Sequence, residues 1–247
     1  MPLILAHRGG PTDALPENAL QTLLHTAGLI PCPILEFDVR MTRDSVLVIA
    51  HDDALDGHTD ATGLISQKTR SELRAVKLLT RDKKPTGFPI ATFDDILSGC
   101  KDKGILAIDA KPGTDLDKVI AAVTAHGAMN QSFLICYSIK DALYVYQRYP
   151  HLMLAVGFNK AEDIATIRQS GLALDRLIAL TPRTLQPRSY YDQIHQLGIV
   201  CSMGTYGEGN LDEQPMTTAA PEYKKLIEGG VDIITTNHPV DVAQLFH

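Results

Sequence analysis

Eight short apolar runs, beginning near residues 3, 34, 105, 133, 152, 177, 199 and 232, recur along a chain of 247 residues, and helical patterns separate them. Strands buried on both faces read as such uninterrupted apolar runs, and their alternation with helices is the pattern of a parallel sheet. Eight repeats in about 250 residues is the size of a (β/α)8 barrel. The expectation is therefore α/β: a (β/α)8 TIM barrel, one domain over residues 1–247. A doubly wound open sheet would want a Gly-x-Gly-x-x-Gly turn after a strand, and this chain has none. One stretch breaks the rhythm. From residue 52 to about 90 the chain is polar and turn-rich, with a short helical candidate over residues 71–79, so it reads as a small insertion after strand 2. Elsewhere the sequence predicts a first helix started by Pro16, Glu17 and Asn18, and a late one starting at Pro221.

Barrel chemistry gathers where strands end and βα loops begin. Here those ends are rich in it. His7 and Arg8 follow the first run, Glu36 and Asp38 close the second, and Asp109 and Lys111 close the third. A spacing of two on a strand puts both side chains on one face, so Glu36 joins Asp38 and Asp109 joins Lys111. Paired carboxylates repel, and a shared proton, a cationic neighbour or an oxygen-preferring divalent ion relieves them. Arg40 falls on the same face, either to contact an anion or to neutralise the acids. The apolar run Val46 to Ala50 then delivers His51 and Asp52 beside the carboxylates. Carboxylates for a hard cation, two histidines for proton transfer, and Arg plus Lys for an anion together describe metal-assisted phosphoryl chemistry.

Composition narrows the partners. A formal charge of −6 with no Lys/Arg-rich tract excludes a nucleic-acid footprint, and 45% hydrophobic with 21% charged residues fits a globular chain. No run reaches membrane-spanning length, and the apolar residues before His7 are too few for a signal peptide. Cys32, Cys100, Cys136 and Cys201 form no Cys-x-x-Cys pair, which fits reduced thiols and a cytoplasmic protein. The expected partner is a small molecule; oligomeric state is not legible.

The motifs also resemble a known family. His7-Arg8-Gly9, Pro16-Glu17-Asn18, Glu36-x-Asp38 with Thr42 and Asp44, His51-Asp52, Thr59, Gly63, the Pro89-Ile90-x-Thr92 approach to a helix, Asp109-x-Lys111 and Gly230-Val231-Asp232 through Thr235 are similar to the glycerophosphodiester phosphodiesterases, over nearly the whole chain. The resemblance implies a barrel with a small insertion after strand 2. It implies Mg²⁺ or Ca²⁺ held by Glu36, Asp38 and Asp109, and His7 and His51 as acid and base. Taking His7 as base and His51 as acid, with Arg8 and Lys111 on the phosphate, gives a phosphodiesterase that releases a phosphomonoester and an alcohol. Tyr206, in an unusual loop after strand 7, is a candidate contact for the alcohol. Departures leave the substrate open: Asp109 stands where the commoner form has Glu, as in the related sphingomyelinase D group, Asn237 replaces the Asp of a Thr-Asp-x-Pro ending, and Trp is absent. A lyase forming a cyclic phosphate, and a phosphodiester-binding barrel without catalysis, are the alternative readings.

Overall fold

The fold is a (β/α)8 barrel, described over residues 2–246 of a computed structural model and comprising two compact units, residues 6–132 and residues 2–5 with 133–246. The strand β1 (Leu3–Ala6) leads into the first unit, where α1 (Leu20–Leu29) is followed by β2 (Ile34–Met41) and β3 (Leu47–Ile49). β3 turns back antiparallel on β2, pairing Val39 with Ile49 and Arg40 with Val48, and the Ala50 N–H donates to the Asp38 carbonyl, so the chain carries His51 back alongside Asp38. Next comes the insertion. It contains α2 (Arg70–Leu73), β4 (Lys77–Leu79) and β5 (Pro85–Pro89), and leads into α3 (Phe93–Gly99), β6 (Ile105–Ala110) and α4 (Leu116–Ala125). On β2, Leu35, Phe37 and Val39 take the helix-facing side, where Phe37 meets Phe93 of α3 at a ring-centroid distance of 6.0 Å. Period-two alternation leaves Glu36, Asp38 and Arg40 on the opposite side.

The insertion packs as a hydrophobic cluster against β3 and the turn before α1. Leu55, Ile65, Leu73, Val76, Leu78 and Ile90 form a buried cluster with Val48 and Ala19. At roughly 1.5–3 kcal/mol for each fully buried aliphatic side chain, that cluster is ample to hold a short segment in one conformation. The predicted helix over residues 71–79 is only partly there. Thr69 and Glu72 form a reciprocal capping box at the start of α2, but the helix stops at Leu73, and Lys77–Leu79 pair antiparallel with Pro85–Pro89 instead. Cross-strand pairing within this hairpin wins over local helical spacing.

Two helix starts also differ from expectation. Pro16, Glu17 and Asn18 lie in a turn before α1, with Asn18 left-handed at φ 58°, and the helix begins at Leu20. The late helix begins five residues ahead of Pro221, directly after Pro215.

The second unit repeats strand and helix without interruption: β7 (Ser132–Cys136), α5 (Ile139–Arg148), β8 (Met153–Gly157), α6 (Ala161–Gln169), β9 (Leu177–Thr181), α7 (Arg188–His195), β10 (Val200–Gly204), α8 (Met216–Gly229), β11 (Ile233–Thr236) and α9 (Pro239–Gln244). From β7 to β11 each strand pairs in parallel with the next. Among the described residues, no helix is long and apolar enough to cross a membrane.

Candidate active site

The site grows from two neighbouring strands. β2 and β6 run parallel with Asp38 registered against Asp109, one position from the end of β6. Oxygens of Glu36, Asp38 and Asp109 lie within 4.8 Å of one another, and all three residues are buried. The Lys111 ammonium stands 2.7 Å from Asp38 Oδ1 and 2.7 Å from Asp109 Oδ2, so the predicted Asp-x-Lys pair shares a face and also reaches the neighbouring strand.

The loop after β1 closes over the same acids. Arg8 adopts a left-handed conformation (φ 50°), and this aims its backbone N–H at Glu36 Oε2, 2.6 Å away. A non-glycine residue in that region costs about 1–2 kcal/mol, which the surrounding bonds must offset. The Arg8 guanidinium donates to Glu17 Oε1 at 2.8 Å and stands 3.6 Å from Asp38 Oδ2. Asn18, the second left-handed residue here, is fixed by a reciprocal pair: its Nδ2 donates to Asp38 Oδ2 at 2.8 Å, and its Oδ1 accepts from the Asp38 N–H at 3.0 Å. Its own N–H donates to the Arg8 carbonyl. Glu17 and Asn18 therefore organise Arg8 and Asp38 rather than start a helix.

Burial and neighbouring charges together set the protonation of this cluster. Burial pushes the Glu36 carboxyl well above its ordinary range, and repulsion from Asp38 adds to that. Burial acts upward on Asp38 too, but Lys111, Asn18 and His51 more than offset it and hold Asp38 below the usual carboxylate range. For Lys111 burial acts downward, and Asp38 and Asp109 outweigh it, keeping the ammonium charged. Three buried carboxylates offering only oxygen fit a hard divalent cation such as Mg²⁺ or Ca²⁺, with water completing its shell. Such an ion would offset both the burial and the repulsion that raise the Glu36 carboxyl. Softer donors meet elsewhere: His195, Cys201 and Asp232 also converge. There the His195 ring and the Cys201 backbone N–H both donate to Asp232 Oδ2, at 2.8 and 2.7 Å, while burial raises the Cys201 thiol to about 12. That group is a hydrogen-bonded anchor for the starts of two strands.

Histidine chemistry enters from the end of β3. His51 Nδ1 donates to Asp52 Oδ1 at 2.8 Å, and the His51 backbone carbonyl accepts from Arg40 Nε at 2.8 Å. Arg40 thus braces the histidine's main chain. His7 is half-buried at the end of β1, next to Arg8. Tyr206 belongs to the other unit, in a loop after β10 that closes on itself through Thr205 and Asp212. Its ring lies under the Arg183 guanidinium, 4.2 Å from the centroid, and over Gly204, where a Cβ would come within 2.9 Å of it.

Two residues of weight escaped the sequence reading. His58 Nε2 lies 2.9 Å from Asp52 Oδ2, in the insertion. Asp212 is a buried carboxylate accepting from the Thr205, Tyr223 and Thr236 hydroxyls and the Asn237 N–H. Neither belongs to a spaced motif, and their partners, apart from Asp52, are distant in sequence or in loops without periodicity.

A barrel with an oxygen-only acidic centre, two cations over it and a carboxylate-held histidine defines a phosphoester-cleaving class of enzyme. The chain belongs to the glycerophosphoryl diester phosphodiesterase family, whose model matches residues 7–241, and is accordingly a phosphoric diester hydrolase. It is 26% identical, over 98% of its own length and 97% of the relative's, to a glycerophosphodiester phosphodiesterase of Caldanaerobacter subterraneus. A glycerophosphoryl diester phosphodiesterase structure from Parabacteroides distasonis superposes with a TM-score of 0.93 at 27% identity, covering all of this chain and 86% of that one. An Oleispira antarctica phosphodiesterase, solved with the product sn-glycerol-3-phosphate, shares the fold at a TM-score of 0.76 and 19% identity, covering 100% of this chain and 97% of that one.

Proposed function

We propose that this chain is a divalent-cation-dependent phosphodiesterase that hydrolyses a glycerophosphodiester or a related alkyl or sugar phosphodiester to a phosphomonoester and an alcohol. The observation that carries the reading is the meeting of Glu36, Asp38 and Asp109 within 4.8 Å under the cationic side chains of Arg8 and Lys111. A bound Mg²⁺ or Ca²⁺ would supply Lewis-acid polarisation of a phosphoryl oxygen. Arg8 and Lys111 bind the remaining phosphate charge, Arg8 through the planar fork that suits paired phosphate oxygens. Both also stabilise the charge that builds in the transition state. Arg40 holds the backbone of His51.

Proton transfer falls to the histidines. His7 takes the proton of the attacking water or hydroxyl, and His51, held through Nδ1 by Asp52, enters the step as the imidazolium and gives its Nε2 proton to the leaving alkoxide. The P–O bond to the alcohol breaks as the new P–O bond forms. With water as nucleophile the product is a phosphomonoester; with a neighbouring substrate hydroxyl it is a cyclic phosphate. The glycerophosphate half follows the named activities of the relatives, among them the sn-glycerol-3-phosphate complex.

Phosphorus NMR on a panel of glycerophosphodiesters, with Mg²⁺, with Ca²⁺ and with chelator, reads substrate, ion requirement and product together. Loss of turnover with chelator and its return with one ion are expected. His7→Ala and His51→Ala, each verified as folded by circular dichroism, should lose about 10²- to 10⁴-fold. Near wild-type turnover in either variant removes that histidine from the mechanism.

A further inference from the structure

We propose that His58 is a positioning residue for His51, acting through Asp52: the insertion supplies a second imidazole that locks the carboxylate on which the acid–base histidine rests. The inference depends on the reading of His51 as a proton-transfer group. Its basis is a chain of contacts. Asp52 uses one oxygen for each histidine, Oδ1 for His51 Nδ1 at 2.8 Å and Oδ2 for His58 Nε2 at 2.9 Å. On its other side, His58 Nδ1 is 3.7 Å from Glu17 Oε1, the oxygen that accepts from Arg8 Nη1 at 2.8 Å. The groups run Arg8, Glu17, His58, Asp52, His51, joining the phosphate-facing guanidinium to the acid–base imidazole through one side chain of the insertion.

Exposure shows why a lock is needed. The Asp52 side chain is 44% exposed and that of His51 33% exposed, so burial alone does not hold either rotamer. A carboxylate bonded through one oxygen can rotate; bonded through both, to partners on separate loops, it is held. An ionised carboxylate accepts, so each ring nitrogen facing Asp52 carries a proton. His51 is thereby fixed with Nδ1 protonated and Nε2 directed away from Asp52, as an acid–base group requires. The charged groups around the pair are Asp52, Glu17 and Arg8, with Asp38 acting on His51 from β2.

His58 is itself well anchored. It sits in a tight turn in which the Leu55 carbonyl accepts from the His58 and Thr59 N–H groups, with Leu55 buried and Gly57 at φ +75°. Its carbonyl accepts from the Leu79 N–H at the end of β4. The insertion's hydrophobic cluster, built around Leu55 and Leu78, thus fixes the position from which His58 reaches Asp52.

The test compares His58→Leu, His58→Gln, Asp52→Asn and His51→Ala on one phosphodiester, with side-chain ¹⁵N NMR of the histidines. His58→Leu should lower kcat about tenfold or more with KM within about twofold, because misplacing a reacting group by an ångström costs up to about 10²-fold. The His51 signals should move from a single Nδ1-protonated tautomer toward a mixture. His58→Gln, whose amide still donates to Asp52, should recover most of the rate and the tautomer. Wild-type kcat and an unchanged His51 tautomer in His58→Leu overturn the proposal. Failure of His58→Gln to recover either quantity also overturns it, as does a loss in His58→Leu equal to that of His51→Ala, which makes His58 a proton donor itself. Full activity in His51→Ala rejects the underlying reading of His51 instead, so the two failures are distinguishable.

Discussion

Asp212 offers the sharpest test of how the second unit is held together. Its Oδ1 accepts from the hydroxyls of Thr205 at 2.7 Å, Tyr223 at 2.7 Å and Thr236 at 2.9 Å, and its Oδ2 accepts from the Asn237 N–H at 2.6 Å. Tyr223 and Thr236 are wholly buried, and Asp212 itself is 8% exposed. The Thr205 hydroxyl has a second acceptor in the Thr235 carbonyl, 3.1 Å away. Replacing Asp212 by Ala therefore takes an acceptor from three donors that this carboxylate serves most directly. At about 1–3 kcal/mol for each buried donor deprived of its partner, less the relief of desolvating a carboxylate, the expected loss is about 3–5 kcal/mol. Tyr223→Phe deletes one donor together with its need for an acceptor, and should cost about 1 kcal/mol. Urea unfolding followed by circular dichroism, with the slope checked for constancy, measures both. A loss below about 1 kcal/mol in Asp212→Ala, or one no larger than in Tyr223→Phe, would refute the claim that this carboxylate ties the loop after β10 to the end of β11.

Other outcomes follow from the acidic centre. Glu36 binds its proton more tightly folded than unfolded, so in metal-free protein its contribution to stability is complete below about pH 4.3. It is lost as pH rises through the raised folded value; Asp38, shifted the other way, acts only at lower pH. Thermal melts in chelator should accordingly fall with rising pH above that point and be restored by divalent ion; a flat profile counts against the repulsion. Lys111→Met strips the counter-charge from two buried carboxylates and should destabilise metal-free protein by about 3–5 kcal/mol, with a larger thermal shift on adding ion than in wild type. Asp109→Asn should raise the ion concentration for half-maximal turnover, and Asp109→Glu should do so less; an unchanged requirement in Asp109→Asn removes it from the ligand set. Asn18→Ala loses two bonds to Asp38 at a left-handed position and should cost about 2–3 kcal/mol in urea melts, whereas Asn18→Gly should recover about 1 of them.

The barrel was legible because parallel strands covered on both faces are apolar over most of their length, and all eight runs became strands. The acid cluster was legible for an equally local reason: a period of two aligns Glu36 with Asp38 and Asp109 with Lys111 before any tertiary contact is known. What failed was long-range. Residues 71–79 have helical spacing, yet Lys77–Leu79 take their conformation from Pro85–Pro89. Pro16, Glu17 and Asn18 carry helix-start signals, but Asn18 is bound to Asp38, twenty residues on. Pro215, rather than Pro221, immediately precedes the late helix, and a proline's signature does not say which of two it is. His58 and Asp212 had no spacing to betray them. Each takes its meaning from partners that only the folded chain supplies.

The pairing of Lys111 with two acids bears on the order of binding that the proposed function implies. Its ammonium pairs with Asp38 and Asp109, two of the acids that the proposed function gives to a divalent ion, so on that reading two cations would share one pair of acids. While Lys111 is engaged there, its charge is spent on the protein and little is left for a phosphate. With an ion held by those acids, as proposed, the Lys111 ammonium would be repelled from them and its charge left for a phosphate. On that reading anion recognition would be conditional on the ion having bound first, and the supply of free divalent ion, before any change in substrate, would set the fraction of molecules able to capture a phosphodiester.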